Sequence, residues 1–185
     1  MASLIEKTAC DGLLPLAAGP LSLAEVDIGP IVSVAPFLGR LDAVDAALGK
    51  LGLGFPAPNT TITAGTAAIV WTGREQAFLI GADGGADGGM LEGLAALTDQ
   101  SDGWAVMELA GQGWRDALAR LVGIDLRPRA FLPGQAARTP LNHMPAVIWC
   151  LAEDRVRIMC FRSMAKTAVH ELHAAMASVA ARARG

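Results

Sequence analysis

Apolar residues recur with the period of an α-helix in four parts of the chain. In the clearest of these, Leu41, Val44, Leu48 and Leu51 share one face, and a stretch rich in glycine and proline follows at 52–58. Side chains three or four residues apart lie on the same side of a helix, and glycine and proline end helices. The pattern therefore predicts helices at about 41–51, 90–97, 114–122 and 164–181.

Short apolar or alternating runs between these helices predict β-strands. The strands are expected at about 31–36, 62–71, 76–80, 98–110, 137–144, 145–151 and 155–161. Several are joined by tight turns, which suit antiparallel pairing, whereas parallel neighbours need long crossovers. The order is βαββαβ followed by αβββα. This mixture favours an α+β fold with a mostly antiparallel sheet and helices packed on one side of it.

The first 27 residues are apolar and contain Pro15 and Pro20, but they show no clear period. We therefore expect an N-terminal arm over 1–27, either extended on a partner or loosely attached, and a single domain over 28–185. The repeated Ala-Asp-Gly-Gly unit within 81–89 predicts a flexible surface loop, because two four-residue copies are too short to form a repeat fold.

Composition narrows the function classes. Apolar residues make up 52% of the 185 residues and charged residues only 18%. This composition fits either a surface covered by another chain or a protein rich in alanine and glycine. The net charge of −3 argues against nucleic acid as the main partner. No signal peptide and no membrane-spanning stretch can be recognised, so a cytoplasmic location is expected.

The three cysteines, Cys10, Cys150 and Cys160, are expected to be free and buried, consistent with a reducing compartment. A two-residue turn at Glu153-Asp154 would pair position 150 with 157 and position 160 with 147. That register would place Cys150 and Cys160 on opposite faces of the sheet, too far apart for a disulfide.

The most suggestive motif for catalysis or cofactor binding is AGQGWRDALARL at 110–121, which follows a predicted strand and opens a helix. A dinucleotide-binding turn needs a third glycine where this chain has Asp116, and a carboxylate there would repel a pyrophosphate. An ordinary strand-to-helix turn is therefore favoured.

The other polar candidates have simpler structural interpretations. His170 and His173 are three residues apart, whereas the zinc-protease motif needs four, and His143 has no recognisable partner. The remaining candidates are expected to serve turns (the acids) or packing (the tryptophans): Asp99, Asp102, Glu153, Asp154, Trp71, Trp104, Trp114 and Trp149. The sequence therefore predicts no catalytic, cofactor-binding or metal-binding residue.

From about residue 71 to 180 the chain resembles the gamma subunit of heterotetrameric sarcosine oxidase. The resemblance rests on TDQSDGWAVMELAGQGWRDALARL at 98–121, IDLRPRAF at 124–131, PGQAART at 133–139, NHMPAVIW at 142–149 and the Phe-Arg-Ser sequence at 161–163. The strand-glycine-helix stretch is shared with folate-binding proteins of the aminomethyltransferase type. The resemblance thus implies a fold like half of that folate-binding domain.

The resemblance also implies a function and partners. The complex of that family oxidatively demethylates sarcosine to glycine, with tetrahydrofolate accepting the one-carbon unit and oxygen becoming hydrogen peroxide. Its FAD, FMN and NAD belong to the large subunits and its zinc to the smallest. The chain is accordingly expected to be a non-catalytic structural subunit without a cofactor of its own. Its expected partners are the large alpha subunit that carries the folate domain, the beta flavoprotein subunit and the small zinc-bearing delta subunit.

Two alternatives remain open at this stage. One is a free-standing folate-binding one-carbon protein of the same fold, which folate titration would reveal. Of the Lys-Gly-Cys-Tyr-x-Gly-Gln-Glu signature of the related iron–sulfur assembly factors, only Gly134-Gln135 is present. The other alternative is a small-ligand-binding module.

Overall fold

The computed structural model describes residues 5, 7–81 and 88–182, which form eleven strands and four helices. The strands are β1 (Leu16–Ala18), β2 (Leu21–Glu25), β3 (Ile31–Pro36), β4 (Thr61–Ala64), β5 (Ala67–Gly73), β6 (Gln76–Ile80), β7 (Ala95–Asp99), β8 (Trp104–Ala110), β9 (Ala136–Leu141), β10 (Met144–Ala152) and β11 (Arg155–Phe161). The helices are α1 (Leu41–Gly49), α2 (Gly88–Leu91), α3 (Trp114–Leu118) and α4 (Ala165–Arg182). None of the helices in these residues combines the length and the apolar character needed to cross a bilayer.

The strands form two antiparallel sheets. The large sheet has the order β1-β2-β8-β11-β10-β9, and the small sheet has the order β4-β5-β6-β3-β7. Every recorded strand pair is antiparallel, as the tight turns between neighbouring strands predicted. The predicted α+β class with antiparallel pairing is therefore confirmed.

Three apolar clusters join the sheets and helices into four layers. On the outer face of the large sheet, Leu109 and Ile158 pack with Leu172 and other residues of α3 and α4. The inner faces of the two sheets meet in a second cluster, and the outer face of the small sheet packs on α1 and α2. The helices thus lie on both outer faces of a pair of sheets, whereas the sequence predicted one sheet with helices on one side.

The prediction of an N-terminal arm is wrong for residues 16–25. Strand β2 pairs with β8, with Leu23 opposite Leu109, and β1 pairs with β2 at the edge of the large sheet. Leu21 and Leu23 are fully buried while Ser22 between them is exposed. This alternation is the period of a half-buried strand, and the neighbouring prolines obscured it in the sequence.

Three other predicted elements differ in the structure. The helix expected at 90–97 is the short helix α2 followed by β7, which pairs with β3. The strand expected at 98–110 is interrupted by a 3₁₀ turn at Ser101–Gly103, so its two ends belong to different sheets. The strand expected at 62–71 is the hairpin β4–β5, which turns at Gly65 with a φ of 60°. The predicted flexible loop at 81–89 falls mostly on 82–87, outside the described residues.

Candidate functional site

The turn within 110–121 joins β8 to α3, and packing accounts for its glycines. Gly111 has a φ of 109°, and a Cβ added there would lie 1.9 Å from the carbonyl oxygen of Pro20. A Cβ added at Gly113, which has a φ of 90°, would lie 3.2 Å from Cγ1 of Val179. These glycines allow the β1–β2 turn and helix α4 to approach the backbone closely.

A surface cavity of about 940 Å³ opens beside this turn. Carboxylates outnumber guanidinium groups in its lining, which contains Arg115, Asp116, Asp125, Arg127, Glu153 and Asp154. This charge balance disfavours a phosphate or pyrophosphate ligand. The geometry therefore agrees with a strand-to-helix turn better than with a dinucleotide site.

Arg115 connects α3 to the loop at 124–131 that carries the Asp-Leu-Arg-Pro-Arg-Ala-Phe sequence. Its guanidinium Nη1 donates to the carbonyl oxygens of Leu126 at 2.7 Å and Phe131 at 2.9 Å. The same group lies 4.3 Å from the ring centroid of Trp114, whose indole N–H donates to the carbonyl of Glu153 at 2.8 Å. These contacts make Arg115 a support of the loop, while Trp114 attaches α3 to the turn between β10 and β11.

The three histidines lie in two elements, the turn between β9 and β10 and helix α4. His143 is exposed in the turn between β9 and β10, and His170 is exposed on α4. His173 is half-buried one turn further along α4. In the parts of the chain that the structure describes, no group of three or more His, Cys, Asp or Glu residues is arranged to hold a metal ion.

The acids that the sequence singled out lie in turns, except Asp99, which is the last residue of β7 before the 3₁₀ turn that contains Asp102. Asp99 accepts hydrogen bonds from the Ser101 hydroxyl at 2.7 Å and the Ser101 backbone N–H at 2.9 Å, and these bonds lower its pKa. Exposed Glu153 and Asp154 form the turn between β10 and β11. In the loop at 124–131, hydrogen bonds from Arg127 lower the pKa of Asp125 to about 2. Asp99 and Asp125 thus stabilise local turn and loop structure.

All three cysteines are buried and unpaired, but the predicted orientation of two of them is wrong. A bulge between Cys150 and Ala152 shifts the register by one residue, so Cys150 lies opposite Val156 and Cys160 opposite Ala146. Both thiols consequently face the core on the helix side of the large sheet. Burial raises the pKa of Cys10 to about 12 and that of Cys160 to about 11. Such thiols are poor nucleophiles.

Three of the four tryptophans are packed in the interior. Trp104 lies between the sheets, with its ring centroid 5.1 Å from that of Phe78 and 4.8 Å from that of Phe161. Trp114 and Trp149 are also buried, whereas Trp71 is half-buried at the surface of the small sheet.

The surface feature that the sequence interpretation missed is an exposed apolar group beside the small sheet. Phe37, Leu38 and Leu41 are 48%, 100% and 41% exposed, and they lie between the end of β3 and the first turn of α1. Next to them is a groove of about 450 Å³, whose apolar lining includes Leu41, Phe55 and Trp71. The available signal was an apolar Phe-Leu pair directly before Gly39, in the connection between a strand and a helix. We call these five residues the Leu38 surface.

Comparison with solved structures defines the fold class. A chain of the heterotetrameric sarcosine oxidase from Corynebacterium sp. U-96, solved in complex with pyrrole 2-carboxylate, matches with a TM-score of 0.82 at 23% identity, over 95% of this chain and 96% of that one. The glycine cleavage system aminomethyltransferase T from Bartonella henselae matches with a TM-score of 0.53 at 16% identity, over 84% of this chain and 46% of that one. The protein therefore has the α+β fold of about half of an aminomethyltransferase, as predicted.

Sequence comparison identifies the family, although no family model matches this chain. The sarcosine oxidase gamma subunit from Arthrobacter sp. is 30% identical over 174 residues, covering 88% of this chain and 83% of the relative. The gamma subunit from Corynebacterium sp. (strain P-1) is 29% identical over 175 residues with the same coverage. The chain belongs to the family of sarcosine oxidase gamma subunits.

Proposed function

We propose that this chain is a non-catalytic structural subunit of a heterotetrameric sarcosine oxidase. The observation that carries the proposal is the match to two gamma subunits over 83% of their length. The reaction of the complex would convert sarcosine, tetrahydrofolate and O₂ into glycine, methylenetetrahydrofolate and hydrogen peroxide. In this role the chain binds the large alpha subunit and stabilises the assembly.

The arrangement of polar groups supports a role without catalysis. The carboxylates with lowered pKa, Asp99 and Asp125, are engaged in local turn and loop contacts, and the guanidinium of Arg115 is bonded to backbone carbonyls. The thiols are buried and have raised pKa values. Catalysis needs a nucleophile or an acid–base pair that a substrate can reach. The carboxylates and the guanidinium are already engaged in these contacts, and burial keeps the thiols away from a substrate.

The proposal assigns the cofactors to the other subunits. FAD, FMN, NAD and tetrahydrofolate would be bound by the alpha and beta subunits and zinc by the delta subunit. The buried, unpaired cysteines support a cytoplasmic location, because free thiols are kept reduced there.

Co-expression tests the proposal. The chain is produced with the alpha, beta and delta subunits of its own organism, and a tag on the alpha subunit is used for purification. We expect equimolar recovery of this chain with the flavoprotein subunits, and sarcosine oxidation only in preparations that contain the flavoproteins. Sarcosine turnover by the purified chain alone, or its absence from the complex, would contradict the proposal.

The likeness to an aminomethyltransferase favours one other candidate, a free-standing folate-binding protein. The chain spans only 46% of that transferase. Titration of the isolated chain with tetrahydrofolate separates the two functions, because saturable binding is expected only for the folate-binding protein.

A further inference from the structure

The Leu38 surface is a shaped feature of the fold. Gly39, with a φ of 72°, turns the chain so that Leu38 points away from the protein, and the Arg40 N–H closes this turn on the Phe37 carbonyl at 2.9 Å. The Phe37 N–H donates to the Leu94 carbonyl at 2.9 Å, which anchors the turn to the end of the small sheet. Leu38 is thus a fully exposed leucine on a fixed backbone.

The neighbouring groove is also held in shape by specific contacts. Asp45 on α1 accepts a hydrogen bond from the Phe55 N–H at 2.7 Å, which fixes the loop after α1 against the helix. Pro56 and Pro58 in this loop line the groove and restrict its backbone. A preformed groove loses little conformational entropy when another chain occupies it.

The rim of the groove has an excess of negative charge. It carries the carboxylates of Asp42, Asp45 and Glu75 and one guanidinium, that of Arg74. Within the described residues Asp42, Glu75 and Arg74 form no recorded ion pair. An apolar groove with such a rim is complementary to an apolar segment that carries a lysine or arginine.

The same charges argue against a second copy of this chain as the partner that binds this surface. A two-fold dimer places the same patch on both sides of its interface, so the acidic rim would face itself. Nucleic acid and an anionic lipid surface are repelled for the same reason.

We propose that the Leu38 surface binds the large alpha subunit of the oxidase. Leu38 is inserted into that subunit, and the groove is occupied by an apolar segment of the same subunit that carries a basic side chain. This inference rests on the proposed function and specifies which face of the chain makes the contact.

A competition experiment tests it. Wild-type chain and a variant of distinguishable mass are co-expressed with the other subunits, and their ratio in the purified complex is compared with their ratio in the lysate. Removal of a central apolar anchor typically weakens an interface on the order of 30-fold. We expect Leu38→Asp to be depleted by at least about 10-fold, and Glu75→Lys by a smaller factor that diminishes at high salt.

Leu132→Asp is the matched control, because Leu132 is 46% exposed and does not line the groove. It should enter the complex as the wild type does. All three substituted side chains are exposed, and circular dichroism and thermal unfolding of each purified variant check that the fold is retained.

The outcomes separate the two proposals. If the wild-type chain assembles and both Leu38→Asp and Glu75→Lys compete equally with it, the proposed surface is wrong and the proposed function stands. If the wild-type chain does not assemble, the function fails and this inference with it. If the isolated wild-type chain is a dimer that Leu38→Asp dissociates, the surface is a self-association site and the assigned partner is wrong.

Discussion

At the scale of single residues, the need for glycine at position 111 arises partly from a residue far away in the sequence, Pro20. Its φ of 109° and the position of the Pro20 carbonyl together leave no room for a side chain. The sequence showed that glycines lie in a turn between a strand and a helix. It did not show the second contact, because the β1–β2 turn reaches this point only through the pairing of β2 with β8.

We expect Gly111→Ala to destabilise the protein by about 2–6 kcal/mol, because backbone strain and overpacking each cost about 1–3 kcal/mol. The clash is with a backbone oxygen, so a side-chain rotation cannot relieve it. Urea unfolding followed by circular dichroism measures the loss.

Gly49→Ala is the matched control for this glycine substitution. Gly49 is the exposed last residue of α1, and an added Cβ meets nothing within 4 Å. Alanine in a helix should therefore raise the stability by about 0.5–1 kcal/mol. Equal effects of the two substitutions would show that the close approach at Gly111 is not present.

At the scale of elements, the sequence predicted best where a run of residues has one clear period. Strands β3, β6, β10 and β11 and helix α4 lie close to their predicted positions. The orientation of Cys150 was mispredicted because one extra residue in a bulge reverses the faces of a strand, and no residue pattern around Leu151 announces the bulge.

The N-terminal strands provide a test at this scale. Leu23 on β2 is fully buried against the large sheet, and truncation of a buried leucine costs about 2–5 kcal/mol. We expect Leu23→Ala to lose that amount, while Ser22→Ala on the exposed side of the same strand should change the stability by less than about 0.5 kcal/mol. Urea unfolding of both variants makes the comparison. Equally small effects would support the original interpretation of this region as an arm.

At the scale of the whole molecule, the division of strands between two sheets could not be predicted. Strand β10 has apolar residues on both faces, because Ile148 packs towards the helices and Val147 towards the small sheet. Such a strand has no polar face to indicate what covers it. The Leu38 surface was missed for a related reason. A sequence does not show whether an apolar residue in a loop is buried or exposed.

The apolar cluster between the sheets predicts that they unfold as one unit. Val147 is fully buried in this cluster, and Val147→Ala should cost about 1–3 kcal/mol, because it removes two methyl groups at about 0.8 kcal/mol each and leaves a cavity. If the sheets are cooperative, tryptophan fluorescence and far-ultraviolet circular dichroism will give coincident urea transitions for the wild type and the variant. The dependence of the unfolding free energy on urea should be unchanged, because the same surface is exposed in both.

Lys166→Ala, at an exposed position of α4, should shift neither transition. Two separate transitions in the wild type would mean that each sheet folds with its own helices, and the interior cluster would then be a contact between two domains.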